Sequence, residues 1–480
     1  MRTVALTLFA VLFWILGCDS APPPAESIAF QAHVFQDEGG LRIQGELGRL
    51  RVPERHSRPQ GSWIELAVAR FPSTSPRPGT PILYFEGGPG AAGIHPERMP
   101  LFRALRSYAD VITFDQRGTG QSSPVLSCPE QMELPSGQAA NRENLLALHR
   151  RLAESCAAHL RGLGIDLAAY NVLESVEDAE AIRRAIGADQ VQLVGISFGS
   201  HLGLAYLKRH PERAQRAVLA LTEGLDQTVK LPANLDAHLS KVSRLIADDP
   251  VAGSVLPNFE GLVRDVLERL DQAPVQVENE SGEKVRITAF LFRQLVAGSI
   301  VRRQFLRSIP AEFGPLQRGD FSPLAEFVPL FHRVRSFGMR AAMDCASGIS
   351  AARWQRVLTG RESTLLKGIS DFPFPDVCQA WGVPDLGDEF RAAFEFDGPA
   401  LFITAGLDGL TPASNLDEIQ SGFSNSGRLM VEGMGHEGPG VWQASPQVLE
   451  IVGRFLQGAP PQTTSVKAPP IDWVLPEDRH

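Results

Sequence analysis

Gly195-Ile196-Ser197-Phe198-Gly199 follows the apolar run VQLV at 191–194 and precedes a helical stretch, 200–210, that stops at Pro211. A serine there sits on a tight strand-to-helix turn with strained backbone, which lifts its hydroxyl above the sheet edge. Residues two before and two after it must be small for strand and helix to approach. The chemistry this suits is nucleophilic attack on a carbonyl carbon. Such a serine needs a base, and the base needs a group to orient it. Of eleven histidines, only His436 follows a late strand and lies in a glycine-rich loop, Gly433-Met434-Gly435-His436. His480 is terminal, His201 reads as packing on the helix after Ser197, and His95 reads as solvent-exposed. For the acid, Asp408 follows ALFITAG at 400–406, at the carboxyl edge of a strand, where a parallel sheet places its site. Asp226, after an earlier strand, is its rival.

A tetrahedral oxyanion needs backbone donors. One is the N–H of Phe198. The other comes from Glu86-Gly87-Gly88-Pro89-Gly90, after the strand PILYF at 81–85. Pro89 has no N–H, so Gly87, Gly88 or Gly90 supplies it, with Gly88 preferred. A phosphate-loop reading fails because no Gly-Lys-Ser/Thr follows.

The elements around these residues alternate. Strands are expected at 81–85, 111–114, 191–194, 217–221, 400–404 and 428–431, with helices at 174–186, 200–210 and 448–456. Strand-helix alternation implies a parallel sheet with crossover helices. Shorter strands are expected between 28 and 69. Residues 226–384 break the rhythm. They read as helices at 234–246, 259–270, 289–301, 338–343 and 351–358, with one hairpin at 275–287. The chain therefore divides into a first core part at 28–225, a helical insertion at 226–384, a second core part at 385–460 and a Pro-rich tail at 461–480.

Ordinary composition, with 43% hydrophobic and 21% charged residues, excludes a disordered chain. A net charge of −9 and the lack of a long Lys/Arg run argue against nucleic-acid binding. Residues 1–18, MRTVALTLFAVLFWILGC, join one Arg to an apolar run too short to span a bilayer. Its end, Ile15-Leu16-Gly17-Cys18, resembles a bacterial lipobox, so Cys18 is expected to carry a lipid that holds the protein to a membrane of the cell envelope. Asp19 resembles an inner-membrane retention signal, and residues 19–27 read as a tether. Four cysteines then remain, an even number suited to an oxidising compartment. Pairing Cys128–Cys156 and Cys345–Cys378 closes local loops of about thirty residues, each worth roughly 3–4 kcal/mol. No spacing suits a metal site.

Further motifs carry a family resemblance. Glu86–Gly90 resembles the Gly-Gly-Pro-Gly loop of the proline iminopeptidase and tripeptidyl aminopeptidase family of α/β-hydrolases. Asp115-Gln116-Arg117-Gly118 resembles that family's Asp-Gln-Arg-Gly segment. Pro124-Val125-Leu126-Ser127-Cys128, the Gly48–Pro53 start and the Gly-x-x-Asp-x-x-Thr-Pro segment at 406–412 are similar to its secreted branch. The resemblance implies an α/β-hydrolase fold, doubly wound and mostly parallel, with the insertion as a helical cap. It implies Ser197, Asp408 and His436 as a triad and no cofactor. Proline iminopeptidases have a His where this chain has Glu86. In such aminopeptidases acids under the cap bind the substrate's free amine; Glu223, Asp344 and Glu86 are the candidates, Glu86 alternatively holding its loop. The expected activity is a serine exopeptidase releasing N-terminal residues or short peptides. A carboxylesterase or lactonase on the same triad is the alternative, and a non-catalytic binding lipoprotein is a third.

Overall fold

The computed structural model describes residues 27–135, 138–335, 338–438 and 440–478. The 1–18 address with Cys18 lies outside them, as does all of the tether but Ser27. Ten strands form one sheet. In chain order they are β1 (Gln31–Gln36), β2 (Arg42–Pro53), β3 (Trp63–Phe71), β4 (Ile82–Phe85), β5 (Val111–Phe114), β6 (Val191–Ile196), β7 (Ala214–Ala220), β8 (Ala400–Leu407), β9 (Ser426–Gly435) and β10 (Thr464–Lys467). Their order across the sheet is β1-β2-β3-β5-β4-β6-β7-β8-β9-β10. The pairs from β1 through β3 to β5 are antiparallel, and every pair from β5 to β10 is parallel.

The period-two rule sorts each central strand between two cores. Ile82 and Tyr84 of β4 pack with Phe102, Leu105, Val448 and Val452, from the helices Met99–Leu105 and Pro446–Leu456. Leu83 and Phe85 pack on the other face with Val176, Leu202 and Tyr206, from Val172–Ala185 and Phe198–Arg209. Burial on both faces explains why β6 is apolar almost without a break.

The insertion lies between β7 and β8. Its helices Pro232–Asp248, Phe259–Gln272 and Ala351–Ser363 bury one face each, and Ala289–Val301 and Gly338–Ser347 are buried nearly all round. In Phe259–Gln272 the buried positions are Phe259, Val263, Val266, Leu267 and Leu270, an amphipathic spacing. The expected hairpin is Val275–Glu278 against Lys284–Ile287. Cys128–Cys156 and Cys345–Cys378 are both bonded, across 28 and 33 residues.

Two features depart from expectation. Helix Arg142–Gly162, 21 residues long, has no counterpart in the sequence reading. Its Leu145, Leu148 and Leu152 enter the cap's core, while Cys156, Ala157 and Leu160 enter the sheet's core. Residues 461–478 do not form a loose tail. β10 pairs with Leu429–Glu432 of β9. Beyond it, the carbonyls of Pro469 and Pro470 accept from Arg303 (2.6 and 2.5 Å), Arg307 pairs with Asp472 (2.9 Å) and Val474 N–H donates to the Arg307 carbonyl (2.9 Å). This strap joins the sheet edge to the cap because prolines, which donate nothing, still offer carbonyls to an arginine fork.

Candidate active site

Four strands deliver the site from their carboxyl ends. β4 runs into Glu86–Gly90, β6 into Ser197, β8 into Asp408 and β9 into His436. Ser197 has φ 53° and ψ −125°, a left-handed conformation costly for a residue with a Cβ. The flanking glycines make that turn possible. A Cβ on Gly195 would stand 2.4 Å from the Gly199 carbonyl oxygen, and one on Gly199 would stand 2.1 Å from that of Phe85.

Ser197 Oγ lies 2.9 Å from His436 Nε2, and His436 Nδ1 lies 2.8 Å from Asp408 Oδ2. Asp408 is 3% exposed and accepts three further hydrogen bonds. Its Oδ1 accepts from the N–H groups of Leu410 and Thr411, both at 2.8 Å. Its Oδ2 accepts from the Thr411 hydroxyl at 2.6 Å, and that hydroxyl also lies 3.2 Å from His436 Nδ1. Burial works to raise the Asp408 pKa, but the charge and hydrogen bond of His436, with Thr411, overcome it and hold it at about 2. Thr411 is the residue that the sequence reading passed over, although it stands in the Gly-x-x-Asp-x-x-Thr-Pro segment. The cap fixes the base loop: His436 N–H donates to the Val301 carbonyl (2.9 Å), and Arg303 donates to that of Gly433 (2.8 Å).

The glycine loop lies against the elbow. A Cβ on Gly87 would come within 3.2 Å of Ser197 Cβ and 3.7 Å of Phe198 N. The Gly87 N–H donates to Glu86 Oε1 (2.8 Å). Gly90 faces Met339 of the cap, and Gly88 lines the cleft. The Asp-Gln-Arg segment buttresses this loop from behind. Asp115 accepts from Ile94 N–H (2.8 Å) and Gln121 N–H (2.7 Å), and Gln116 donates to the Glu86 carbonyl (3.0 Å). Arg117, wholly buried, forms a fork with Asp178 at 2.6 and 2.7 Å.

A cleft of about 1030 Å³ opens over these groups, lined among others by Gly88, Ser197, Arg98, Arg340 and His436. The acids expected to bind an amine are distributed unevenly. Glu86 lines the cleft, yet it is 3% exposed and both oxygens are held: Arg98 Nε at 2.5 Å and Nη2 at 3.1 Å, and Tyr84 Oη at 3.1 Å. It holds the loop and is not open to an amine. Glu223 pairs with Lys230 at 2.9 Å, and Asp344 accepts from Arg340 at 3.2 Å. The rival acid Asp226 is spent on Ser350, N at 2.8 Å and Oγ at 2.5 Å, where that serine caps helix Ala351–Ser363. His201 is buried, its nitrogens 3.0 Å from the Gly224 carbonyl and 3.2 Å from Ser347 Oγ.

The chain belongs to the family described as the alpha/beta hydrolase fold, whose profile matches residues 80–439. Over 182 residues it is 28% identical to the serine protease Hip1 of Mycobacterium tuberculosis, covering 36% of this chain and 35% of that one. Over 213 residues it is 30% identical to the tripeptidyl aminopeptidase of Streptomyces coelicolor, covering 41% and 38%. Over 141 residues it is 30% identical to the proline iminopeptidase of Aeromonas sobria, covering 29% and 27%. The chain thus spans little more than a third of the length of the first two relatives. These relatives fall in the family that the glycine loop and the Asp-Gln-Arg-Gly segment pointed to.

Proposed function

We propose that this chain is a serine hydrolase, and within that class an exopeptidase that releases N-terminal residues or short peptides. The observation that carries the reading is the continuous relay from Ser197 Oγ through His436 to Asp408, opening on the cleft at a strained turn. Ser197 Oγ attacks the carbonyl carbon as His436 Nε2 takes its proton. Asp408 holds the Nδ1–H tautomer and stabilises the imidazolium. The oxyanion forms against the N–H groups of Phe198 and Gly88. His436 then protonates the departing amine, and water releases the acyl group by the same steps. The triad needs no cofactor.

The aminopeptidase part rests on the relatives' names. Glu223 and Asp344, which stand behind the residues lining the cleft, are the remaining proposed amine partners. Each already holds a cation, Lys230 or Arg340, so an incoming ammonium competes with an internal one. The alternative, a carboxylesterase or lactonase, uses the same relay. Fluorophosphonate labelling tests the class: the wild type should label and Ser197→Ala should not. An unlabelled folded wild type ends the enzyme reading and leaves a binding lipoprotein. Peptidyl anilides against short acyl esters separate peptidase from esterase, and equal cleavage of N-blocked and free peptides removes the amine contact.

For location we propose a lipid on Cys18 and a site in the cell envelope. Two disulfides suit an oxidising compartment. Metabolic labelling with palmitate should mark the wild type and not Cys18→Ala.

A further inference from the structure

The cap contains a second cavity, of about 460 Å³, apart from the cleft. Its floor is apolar: Leu270, Phe290, Leu366, Ile369 and Phe372. Its rim is cationic, with Arg142, Arg293, Arg361 and Lys367. Asp376 serves both Arg142 (2.5 Å) and Arg361 (3.6 Å), and Asp271 serves Arg293 (3.2 Å). Three carboxylates, Asp371 included, thus act on four cations, in a protein whose net charge is −9. Burial lowers the Arg361 pKa and the neighbouring Arg142 adds to that, while Asp376 and Asp371 oppose it.

The backbone adds to this field. Helices Arg142–Gly162 and Ala289–Val301 both begin at the cavity, and their N-caps Asn141 and Thr288 line it. The Thr288 hydroxyl donates to the Ala140 carbonyl (2.8 Å) and so fixes the two N-termini side by side. Positive dipole ends favour an anion. Lys367 has φ 52°, and Gly368 follows it at φ 62°. A side-chain-bearing residue in that conformation is strained by about 1–2 kcal/mol, and such strain gathers at ligand sites.

We infer that this cavity is a binding site for a small amphipathic carboxylate: an aliphatic chain on the Leu270–Phe290–Phe372 floor, with its carboxylate at the rim between Arg142 and Lys367. Its size falls within the roughly 300–1,000 Å³ of small-molecule pockets. The turn Ile369–Asp371 is a shared wall, since Ile369 lines the cavity and Ser370 the catalytic cleft. Ser197 lies on the cleft side of that wall and does not line the cavity.

Calorimetric titration of the full chain with sodium decanoate tests this. One equivalent should bind, with decanol and decyltrimethylammonium at least about 10-fold weaker, since a charge-assisted contact contributes about 1.5–3 kcal/mol. Arg142→Gln and Lys367→Gln, both exposed and able to fold, should each weaken decanoate several-fold. Protein blocked at Ser197 by a fluorophosphonate should bind decanoate unchanged. No binding at millimolar concentration, equal binding of decanol, or unchanged affinity in both variants would overturn the site. Loss of binding on blocking Ser197 would instead place the carboxylate in the catalytic cleft and overturn it too.

Discussion

Asp408 carries more hydrogen bonds than its partner His436 alone can supply, and this makes its neighbours measurable. Asp408→Asn keeps the shape but favours the wrong imidazole tautomer, so kcat should fall by on the order of 10⁴-fold with the fold intact. Thr411→Val removes one charge-assisted hydrogen bond and should cost about 1–3 kcal/mol in stability. Its effect on turnover should fall on kcat rather than KM, because the hydroxyl touches the acid and base. A second residue-scale test concerns Asp371, whose Oδ2 accepts from Lys230 N–H at 2.8 Å. Burial raises its pKa to about 7 from 3.8, against the charge of Lys230. The folded state therefore binds the extra proton across that window, and its contribution to stability is lost as pH rises through about 7. Melting temperature between pH 4 and 8 should fall less steeply in Asp371→Asn, and an unchanged slope refutes the assignment. The serine, histidine and aspartate were legible because glycine sterics and strand ends mark them in one dimension. For Glu86 the sequence left two roles open, binding an amine or holding its loop, because the choice is decided by Arg98, twelve residues on, across a turn that no local pattern discloses.

At the scale of elements, the elbow is set by contact between three backbones rather than by Ser197 itself. Gly199→Ala would drive a methyl to 2.1 Å from the Phe85 carbonyl oxygen, pushing β4 away from the helix. A loss of about 1–3 kcal/mol is expected, read as a lower urea midpoint, with fluorophosphonate labelling slowed. The buttress behind the glycine loop is equally specific. Arg117→Met leaves the buried Asp178 with His56 (2.8 Å) in place of an arginine fork, at a cost of about 3–5 kcal/mol, whereas Arg117→Met with Asp178→Leu should recover part of it. Denaturation of the two variants side by side decides the matter; equal losses would mean that the ion pair itself was stabilising. Element types were readable wherever one periodicity held, as in Phe259–Gln272. Helix Arg142–Gly162 escaped because its apolar residues serve two cores in turn, so no single stripe runs its length.

The whole molecule is held together by links that cross between sheet and cap. The bridging helix, the ribbon of Gln131–Glu133 with Arg333–Arg335, and the strap after β10 all do so. β10 was illegible because a four-residue strand between prolines gains its meaning only from the edge it joins. Cys345–Cys378 lies within the cap; replacing both by serine should cost about 2–4 kcal/mol, seen as an earlier thermal transition in the non-reduced protein alone. The inserted cap also has a consequence in time. Ser197 and His436 stand 239 residues apart in the chain. At about 5–20 residues per second, a ribosome needs roughly 12–48 s to pass from one to the other. During that interval the elbow can fold, yet its serine has neither base nor acid. A nascent chain halted near residue 420 should resist fluorophosphonate, and labelling should begin only once the base loop has docked on Val301. Emergence of the chain, from the ribosome or on the far side of a membrane, thus acts as a delay on the chemistry, and carbonyl compounds meet an unarmed serine until the base loop is in place.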